Sequence, residues 1–318
     1  MGKLLRNTVL LLVPILLYYG LFLAFEPNNY FGLRAKTPTG AIFGELREYR
    51  ENPTTGVLIG DSRFANIADM RTINEVTGRE FSNLAFGGAS LKENLDELDY
   101  LLERYPQIEE VVFELSFYTL NANYAADRFG FIELALYNPF AYMTNLSYNL
   151  EAMQNLVLWL DGQTLGGGEN ETRNPVQDRY IQWNPLPGGQ EVTIRQDIAK
   201  YIEAISVYTE NWRLDTGEGN SFDRLLETIE ACEEKGIRFT VVLPPIHDAV
   251  MEYAVRQNGI YEQMLPLVQQ LNESPARVLD YEMTERPVYD EEAWFDGFHL
   301  DYKHGLSQWT RQLAEDLK

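Results

Sequence analysis

A serine near one end of this 318-residue chain and a histidine and an aspartate near the other have the residue types needed for nucleophilic catalysis. Ser62 lies in IGDSRFAN, residues 59–66, directly after a short apolar run. A serine hydroxyl is a poor nucleophile unless a general base lies beside it. Because Gly, Asp and Ser are also common turn residues, this stretch alone leaves two interpretations open: Ser62 is a nucleophile, or it is an ordinary turn serine.

The search for a base is short, since the chain has three histidines, His247, His299 and His304. His299 lies in WFDGFHLDYKHG, and Asp296 precedes it by three residues. In a loop that enters a helix, this spacing can bring a carboxylate to the imidazole and fix its tautomer. His299 and Asp296 are therefore the candidate base and the candidate orienting acid.

The elements that must position these residues follow an alternating pattern. Strand-like runs (TGVLIG, REFSNLAF, IEEVVFELSF, IRFTVVLPP and ARVLDY) alternate with helical stretches, one of them opened by a capping box of Ser90 and Glu93. This alternation predicts an α/β fold with three layers, α/β/α, around a parallel five-stranded sheet. Ser62 follows the first strand and His299 the last, so both should open onto the crevice at the carboxyl ends of the strands.

Residues 120–220 interrupt this rhythm and predict an insertion between the third and fourth strands. We expect an aromatic-rich helical stretch, a loop, and a further helix over IRQDIAKYIEAISVYTENWR. Its tryptophans, Trp159, Trp183 and Trp212, either stack on sugars or pack the insertion onto the body of the domain.

The N-terminus has an uncharged run of eighteen residues, Thr8 to Phe25, which follows Lys3 and Arg6. As a helix it would span about 27 Å, close to the hydrocarbon thickness of a bilayer. Basic residues before the run favour a cytoplasmic N-terminus. The absence of an A-x-A cleavage site favours an uncleaved anchor, and a cleaved, secreted form is the alternative.

This interpretation predicts three regions. Residues 1–25 form a membrane anchor, residues 26–52 a juxtamembrane linker and helix, and residues 53–318 a domain outside the cytoplasm, in the periplasm or at the cell surface. The net charge of −22 argues against a nucleic-acid partner. A lone Cys232 allows neither an intrachain disulfide nor a cysteine metal cluster, and no metal spacing or phosphate loop is present, so no cofactor is expected.

Three short blocks resemble the SGNH, or GDSL, hydrolase superfamily: IGDS at 59–62, NLAFGGAS at 83–90 and DGFH at 296–299. The resemblance implies a flavodoxin-like fold. It also implies that Ser62 attacks, that His299 is the base and that Asp296 orients it. The amides of Ser62 and Gly88 would form the oxyanion hole.

The third block departs from the family pattern. Where the family has GxND, this chain has ELSFYTLN, with Ser116 in place of Gly and Tyr118 near the expected Asn. Asn121 and Asn123 are candidates to replace that side-chain donor, whose loss costs about 100-fold in rate.

The departure makes the chain more similar to membrane-anchored members, such as the D-alanyl transfer protein of teichoic acid modification and the SGNH proteins of exopolysaccharide O-acetylation. It shares with them a predicted anchor, an altered third block, and a DxxH motif followed by Gly305. The resemblance implies a serine acyltransferase or esterase acting on acyl groups, acetyl in particular, of cell-envelope or exported polysaccharide. A transferase would also need a membrane-embedded partner that delivers the acyl group.

Two further residues are candidate substrate contacts, and each has a structural alternative. Arg63 either holds a polar or anionic substrate group or forms an ion pair. His247 follows the fourth strand and either faces substrate or makes a loop contact, and His304 is expected to be solvated. The alternative function for the whole chain is an anchored, non-catalytic glycan-binding or scaffold module that has kept the fold and lost part of the oxyanion site.

Overall fold

The computed structural model describes residues 2–25, 38–65, 70–124, 128–130, 132, 144–146, 197–209, 211–301 and 304–318. The chain divides into two compact units. One comprises Met1–Arg47 and Arg128–Glu171, and the other comprises Glu48–Asp127 and Thr172–Lys318. The second unit contains the sheet and all the residues discussed as a candidate site.

Helix α1 (Gly2–Phe25) and helix α2 (Pro38–Glu51) precede the sheet. Helix α2 falls where a juxtamembrane helix was predicted, and residues 26–37 lie outside the described residues. Among the helices that the structure describes, none is both long and apolar enough to cross a membrane. The membrane span predicted within residues 1–25 is therefore not confirmed.

Five strands form one parallel sheet in the described part of the chain. They are β1 (Gly56–Ile59), β2 (Phe81–Asn83), β3 (Glu110–Glu114), β4 (Arg238–Leu243) and β5 (Arg277–Asp280). Their order is β2-β1-β3-β4-β5 and every neighbouring pair is parallel. All residues of β1, β2 and β3 are buried, which explains why these runs do not alternate between apolar and polar residues. The predicted parallel five-stranded α/β sheet is confirmed.

Helices connect these strands. They are α3 (Ser62–Ala65), α4 (Met70–Thr77), α5 (Leu91–Arg104), α6 (Ile198–Ala204), α7 (Ser206–Thr209), α8 (Ser221–Glu234), α9 (Asp248–Val250), α10 (Ile260–Glu273) and α11 (Leu306–Asp316). Short 3₁₀ turns lie at Phe117–Leu120 and Glu291–Ala293. The predicted capping box is confirmed, because Ser90 Oγ accepts from Glu93 N at 3.2 Å and Glu93 Oε2 accepts from Ser90 N at 3.1 Å.

The sequence from Asp248 to Glu273 has the pattern of one long helical stretch, but in the structure this stretch is not continuous. It is divided into α9, a π-helical segment Met251–Arg256, and α10. Gly259 separates the last two with a φ of 65°, a left-handed conformation that interrupts helical hydrogen bonding and that glycine adopts readily.

The predicted insertion is described only in part. Trp159 and Trp183 lie outside the described residues. Trp212 donates from Nε1 to the carbonyl oxygen of Phe117 at 2.9 Å, so its contact is with the 3₁₀ turn after β3 and favours the packing alternative. Helix α6 contributes the fully buried ring of Tyr201 to the same region.

The strand order creates one crevice that is suited to a site. The chain leaves β1 for β2 on one side and returns to β3 on the other side, so the order reverses between β1 and β3. In open parallel sheets, ligands bind outside the carboxyl ends of the strands at such a reversal. Ser62 follows β1 at this position.

Candidate active site

The structure brings Ser62, His299 and Asp296 together. Ser62 Oγ lies 2.9 Å from His299 Nε2, and His299 Nδ1 lies 2.9 Å from each carboxylate oxygen of Asp296. Because a carboxylate accepts hydrogen bonds, the contact with Asp296 assigns the proton to Nδ1. Nε2 is then the acceptor for the serine hydroxyl.

A tight loop holds the acid and the base in this geometry. Asp296 Oδ1 accepts from the amides of Phe298 at 2.8 Å and His299 at 2.7 Å. Phe295 N donates to His299 O at 2.9 Å, and a short bridge joins Trp294 to Leu300. The carboxylate therefore organises the backbone of the loop as well as the imidazole, which explains why a three-residue spacing suffices.

The backbone around Ser62 leaves one amide available. The amides on both sides of it are all bonded: Asp61 N and Phe64 N donate to Glu114 Oε2 at 2.8 and 3.2 Å, Arg63 N to Asp61 Oδ1 at 2.9 Å, and Ala65 N to Asp61 O at 2.8 Å. Within the described structure, Ser62 N has no acceptor. It is therefore available to donate to an oxygen that acquires negative charge beside Ser62 Oγ.

The glycine turn after β2 lies beside the serine. A Cβ placed on Gly87 would lie 3.9 Å from Ser62 Cβ. The next residue, Gly88, has a φ of 71°, in the left-handed region that favours glycine. The turn is thus adjacent to Ser62, and the oxyanion role of the Gly88 amide stays a prediction.

Tyr118 does not take the place of the missing oxyanion asparagine. Its hydroxyl donates to the carboxylate of Asp61, and its ring packs edge-on against Phe298 at 5.5 Å between centroids. Burial, and secondarily the charge of Asp61, raise the pKa of Tyr118 well above its ordinary value, so the phenol stays neutral and remains a donor. Tyr118 therefore connects the nucleophile turn to the loop of the acid and base.

The side chains of the two asparagines after Tyr118 bond to backbone groups. Asn121 Oδ1 accepts from Asn123 N at 3.1 Å and from Arg213 N at 3.2 Å. Asn123 Nδ2 donates to Asn211 O at 2.7 Å. Both side chains bind the segment 211–213 to the turn that follows β3. Asn123 has its donor engaged, whereas Nδ2 of Asn121 is buried without a partner among the described residues, so the oxyanion role of Asn121 stays a prediction.

Arg63 lies in a buried ion-pair network. Its guanidinium donates from Nε to Glu114 Oε1 at 3.1 Å and from Nη1 to Pro244 O at 3.2 Å, and Nη1 lies 3.6 Å from Glu282 Oε1. Only 4% of Arg63 is exposed. These contacts bear out the ion pair. The substrate contact stays a prediction, because Arg63 also lines the small cavity beside His299 and its Nη2 has no partner among the described residues.

This network holds more carboxylates than arginines. Burial raises the pKa of Glu282 to about 7, although the nearby Arg63 lowers it. Burial and the charge of Asp61 raise the pKa of Glu114 well above its usual range. A proton on Glu282 would therefore limit the negative charge of this network. The four hydrogen bonds to the Glu114 oxygens are all ones that a carboxylate accepts.

His247 makes loop contacts and does not present a free ring. Its Nδ1 accepts from Ala249 N at 3.0 Å and its Nε2 lies 3.2 Å from Glu291 Oε2, so both ring nitrogens are bonded. The ring packs edge-on against Trp294 at 5.4 Å, and the backbone amide donates to Gly297 O at 2.9 Å. These contacts favour the loop alternative over the predicted substrate contact, because His247 supports the loop that carries Asp296.

Two residues near the site were missed in the sequence. The first is Tyr201, which packs so closely against Gly297 that a Cβ on residue 297 would come within 2.6 Å of Tyr201 Cε1. Burial, with a smaller effect of Asp296, raises the pKa of Tyr201 well above its ordinary value. No sequence pattern singles it out, because it lies in the insertion. Glu114 had a detectable signal, since it is a carboxylate at the end of the otherwise apolar run VVFEL.

Two cavities lie at this end of the sheet. One of about 20 Å³ adjoins His299 and has largely apolar walls, which include Pro244, Pro245, Leu306 and Trp309. The other, of about 350 Å³, has mixed walls, with polar groups from Ser90, Lys92, Asn121 and Asp215 and apolar surface from Leu91, Leu120 and Phe222. Among the described residues, no group of three or more His, Cys, Asp or Glu side chains could hold a metal ion.

Comparison with known proteins gives only distant structural likeness. No family model and no curated protein matches the chain. A solved structure of a candidate lipolytic protein of the G-D-S-L family from Desulfitobacterium hafniense is 12% identical with a TM-score of 0.37, covering 83% of this chain and 99% of its own. A candidate acylhydrolase from Bacteroides fragilis is 10% identical with a TM-score of 0.39, covering 89% and 99%. Similarity this low does not decide what the present chain binds or transforms.

Proposed function

We propose that this protein is a serine esterase or acyltransferase of the SGNH type, in which Ser62 forms an acyl-enzyme. The observation that carries the proposal is the continuous hydrogen-bond chain from Ser62 Oγ through His299 to Asp296. A nucleophile bonded to a base, and a base bonded to an orienting carboxylate, is the arrangement that activates serine.

The reaction follows from this geometry. Ser62 Oγ attacks the carbonyl carbon of an ester and its proton passes to His299 Nε2, while Asp296 stabilises the imidazolium. The amide of Ser62 donates to the oxyanion, and the amide of Gly88 is the proposed second donor. When the tetrahedral intermediate collapses, the alcohol leaves with the proton from His299. Water or an acceptor hydroxyl then takes the acyl group by the reverse sequence.

The walls of the small cavity include His299 but not Ser62, so an acyl group that extends from Ser62 into this cavity must be short. The cavity volume of about 20 Å³ leaves room for a group of about the size of water or methyl. The wider groove of about 350 Å³ has both polar and apolar walls, which suits the hydroxyl groups and C–H faces of a sugar. These two observations support an acetyl ester of a polysaccharide as substrate, and the choice between hydrolysis and transfer depends on which acceptor reaches the acyl-enzyme.

The proposed location is the outer side of a membrane. What supports it is the uncharged run Thr8–Phe25 after Lys3 and Arg6, together with exposed aliphatic side chains such as Leu10, Leu11 and Leu16 on α1. A phosphatase fused after Lys318 should be active only if that end is outside the cytoplasm. Activity of a reporter that works only in the cytoplasm would contradict this location and the need for a membrane-embedded acyl donor.

One observation favours the second candidate, a non-catalytic glycan-binding or scaffold module. The residue near the position of the oxyanion asparagine is Tyr118, and its hydroxyl is bonded to Asp61. The site therefore has fewer identified oxyanion donors than the family pattern implies.

Hydrolysis of p-nitrophenyl acetate by the purified full-length protein distinguishes the two candidates. We expect turnover that Ser62→Ala abolishes and that His304→Ala leaves intact, because His304 is exposed and bonded to Asp301 outside the Ser62–His299–Asp296 chain. Folded wild-type protein that shows no turnover dependent on Ser62 would favour the binding module.

A further inference from the structure

Glu114 occupies an unusual position at the carboxyl end of β3. It is buried, with 2% of its surface exposed, and it lies against the turn that follows β1. A Cβ placed on Gly60 would come within 2.5 Å of both Glu114 Cβ and Oε2, so the turn can approach this carboxylate only because residue 60 is glycine. The two segments therefore fit closely around a buried negative group.

The two carboxylate oxygens of Glu114 have separate partners. Oε2 accepts from the amides of Asp61 at 2.8 Å and Phe64 at 3.2 Å. Oε1 accepts from Arg63 Nε at 3.1 Å and from Ser116 Oγ at 3.2 Å. One oxygen thus holds the backbone of the nucleophile turn, and the other holds the arginine that compensates the charge.

The amides bound by Oε2 lie on either side of Ser62. Fixing both of them sets the direction of the peptide between them, which carries Ser62 N and Cα. This is the same short segment whose amide has no acceptor in the described structure and whose Oγ lies 2.9 Å from His299 Nε2. A displacement of about 1 Å in a reacting group can cost about 100-fold in rate.

Resting on the proposed function, we propose that Glu114 is a positioning residue of this reaction: it holds the turn 61–64 so that Ser62 N points at the oxyanion while Ser62 Oγ faces His299. Arg63 is required for this arrangement, because an uncompensated carboxylate so close to Ser62 would repel the oxyanion. Glu114 lies in the third sequence block, the one that lacks the expected oxyanion asparagine. Its effect on the reaction passes through the backbone of the first block, which carries Ser62.

The experiment compares three variants of the full-length protein. Glu114→Ala removes both sets of bonds. Glu114→Gln keeps one oxygen that can accept from Asp61 N and Phe64 N. Glu110→Ala is the matched control, because Glu110 is also buried and paired with arginine but lies at the opposite end of the same strand. For each variant we would measure kcat and KM per folded molecule on p-nitrophenyl acetate, the inhibition constant of phenylboronic acid, and the melting temperature.

We expect Glu114→Ala to lower kcat by about 100-fold with KM little changed, and to weaken phenylboronic acid binding in parallel. Phenylboronic acid reports on the oxyanion site because it binds serine as a tetrahedral anion. Glu114→Gln should recover part of both losses. Glu110→Ala should lower the melting temperature and leave kcat per folded molecule within about twofold, since Glu110 lies at the first residue of β3 and pairs with Arg79 and Arg238 and not with the nucleophile turn.

The proposal is overturned if Glu114→Ala keeps wild-type kcat and boronate affinity per folded molecule and loses only stability. It is also overturned if Glu114→Gln is no better than Glu114→Ala in both readouts. If wild type itself shows no turnover dependent on Ser62, the proposed function fails, and the positioning role fails with it. Turnover that depends on Ser62 but not on Glu114 removes only the positioning role.

Discussion

Each end of strand β3 carries a glutamate that is paired with arginine, but the two glutamates differ in burial and in their other contacts. At its first residue, Glu110 binds Arg79 at 2.6 Å and Arg238 at 2.8 Å, and the side chains of these arginines are 25% and 60% exposed. At its last residue, Glu114 shares the fully buried Arg63 with Glu282 and also holds two backbone amides of the nucleophile turn.

The difference in burial means that the two ends of β3 differ in their desolvation cost on folding. Partly exposed ion pairs are solvated and contribute little to stability. A buried network of three carboxylates (Asp61, Glu114 and Glu282) around one arginine requires extensive desolvation and is weak evidence for stability. We infer that the network at the Glu114 end is retained for the geometry that it imposes on Ser62.

The largest expected effect is on the Ser62–His299–Asp296 chain. Asp296→Asn should lower kcat on aryl acetates by up to about 10⁴-fold, because an amide can present its N–H to His299 and favour the wrong tautomer. Combining it with Ser62→Ala should cost little more than Ser62→Ala alone, since residues that act as a unit are not additive. Steady-state kinetics of the single and double variants would check this, and additive losses would argue against a single unit.

Arg63→Met and Arg238→Met compare the two ends of β3 directly. Removing Arg63 leaves buried Glu114 and Glu282 without their cation, so we expect a loss of about 3–5 kcal/mol in the free energy of unfolding. Removing the largely exposed Arg238 should cost no more than about 1 kcal/mol. Urea denaturation measures both, and equal losses would show that the two ends do not differ in this way.

Glu282→Gln should change how stability depends on pH. Burial raises the pKa of Glu282 from its ordinary value of 4.5 to about 7, so the native state holds a proton that the unfolded state has released between these values. Wild-type stability relative to the variant should therefore fall as pH rises from about 4.5 to 7, by up to about 3 kcal/mol. Urea denaturation across this range tests the sign, and a difference that is constant with pH would contradict it.

Tyr118→Phe should have the smallest effect of the four. It removes the hydroxyl that donates to Asp61 and keeps the ring that packs against Phe298. Leaving a buried acceptor unsatisfied costs about 1–3 kcal/mol of stability, and we expect kcat per folded molecule to fall less than in Glu114→Ala. A gain in kcat would instead indicate that the bond to Asp61 restrains the site.

Cys232→Ala, in the buried face of α8, serves as a control that should leave kcat unchanged.

Much of the fold could be predicted because it depends on local patterns. Apolar runs of strand length and a capping box at Ser90 identify the elements, and their alternation with helices predicts a parallel sheet with right-handed crossovers. The order of the strands was not predicted. Helix boundaries were less predictable, as the interruption between Asp248 and Glu273 shows. Its π-helical segment depends on tertiary contacts that a periodic pattern does not contain.

For the candidate site too, residues with a local sequence signal were predictable and residues that depend on distant partners were not. Ser62, Asp296 and His299 lie in motifs that are recognisable within a few residues. Glu114, Arg63 and His247 could not be assigned, because partners of their side chains are 44 to 181 residues away along the chain, the longest separation being that of Arg63 and Pro244. A charged residue in a short motif looks the same whether its partner is a substrate or a distant carboxylate.

The central claim is that Ser62 is a nucleophile activated by His299, and labelling with a fluorophosphonate probe tests it most directly. Wild-type protein should form one covalent adduct, which peptide mass spectrometry locates on Ser62. His299→Ala should label far more slowly, and Ser62→Ala should not label at this position. An unlabelled Ser62 in folded wild-type protein, or labelling at the same rate in His299→Ala, would contradict the account.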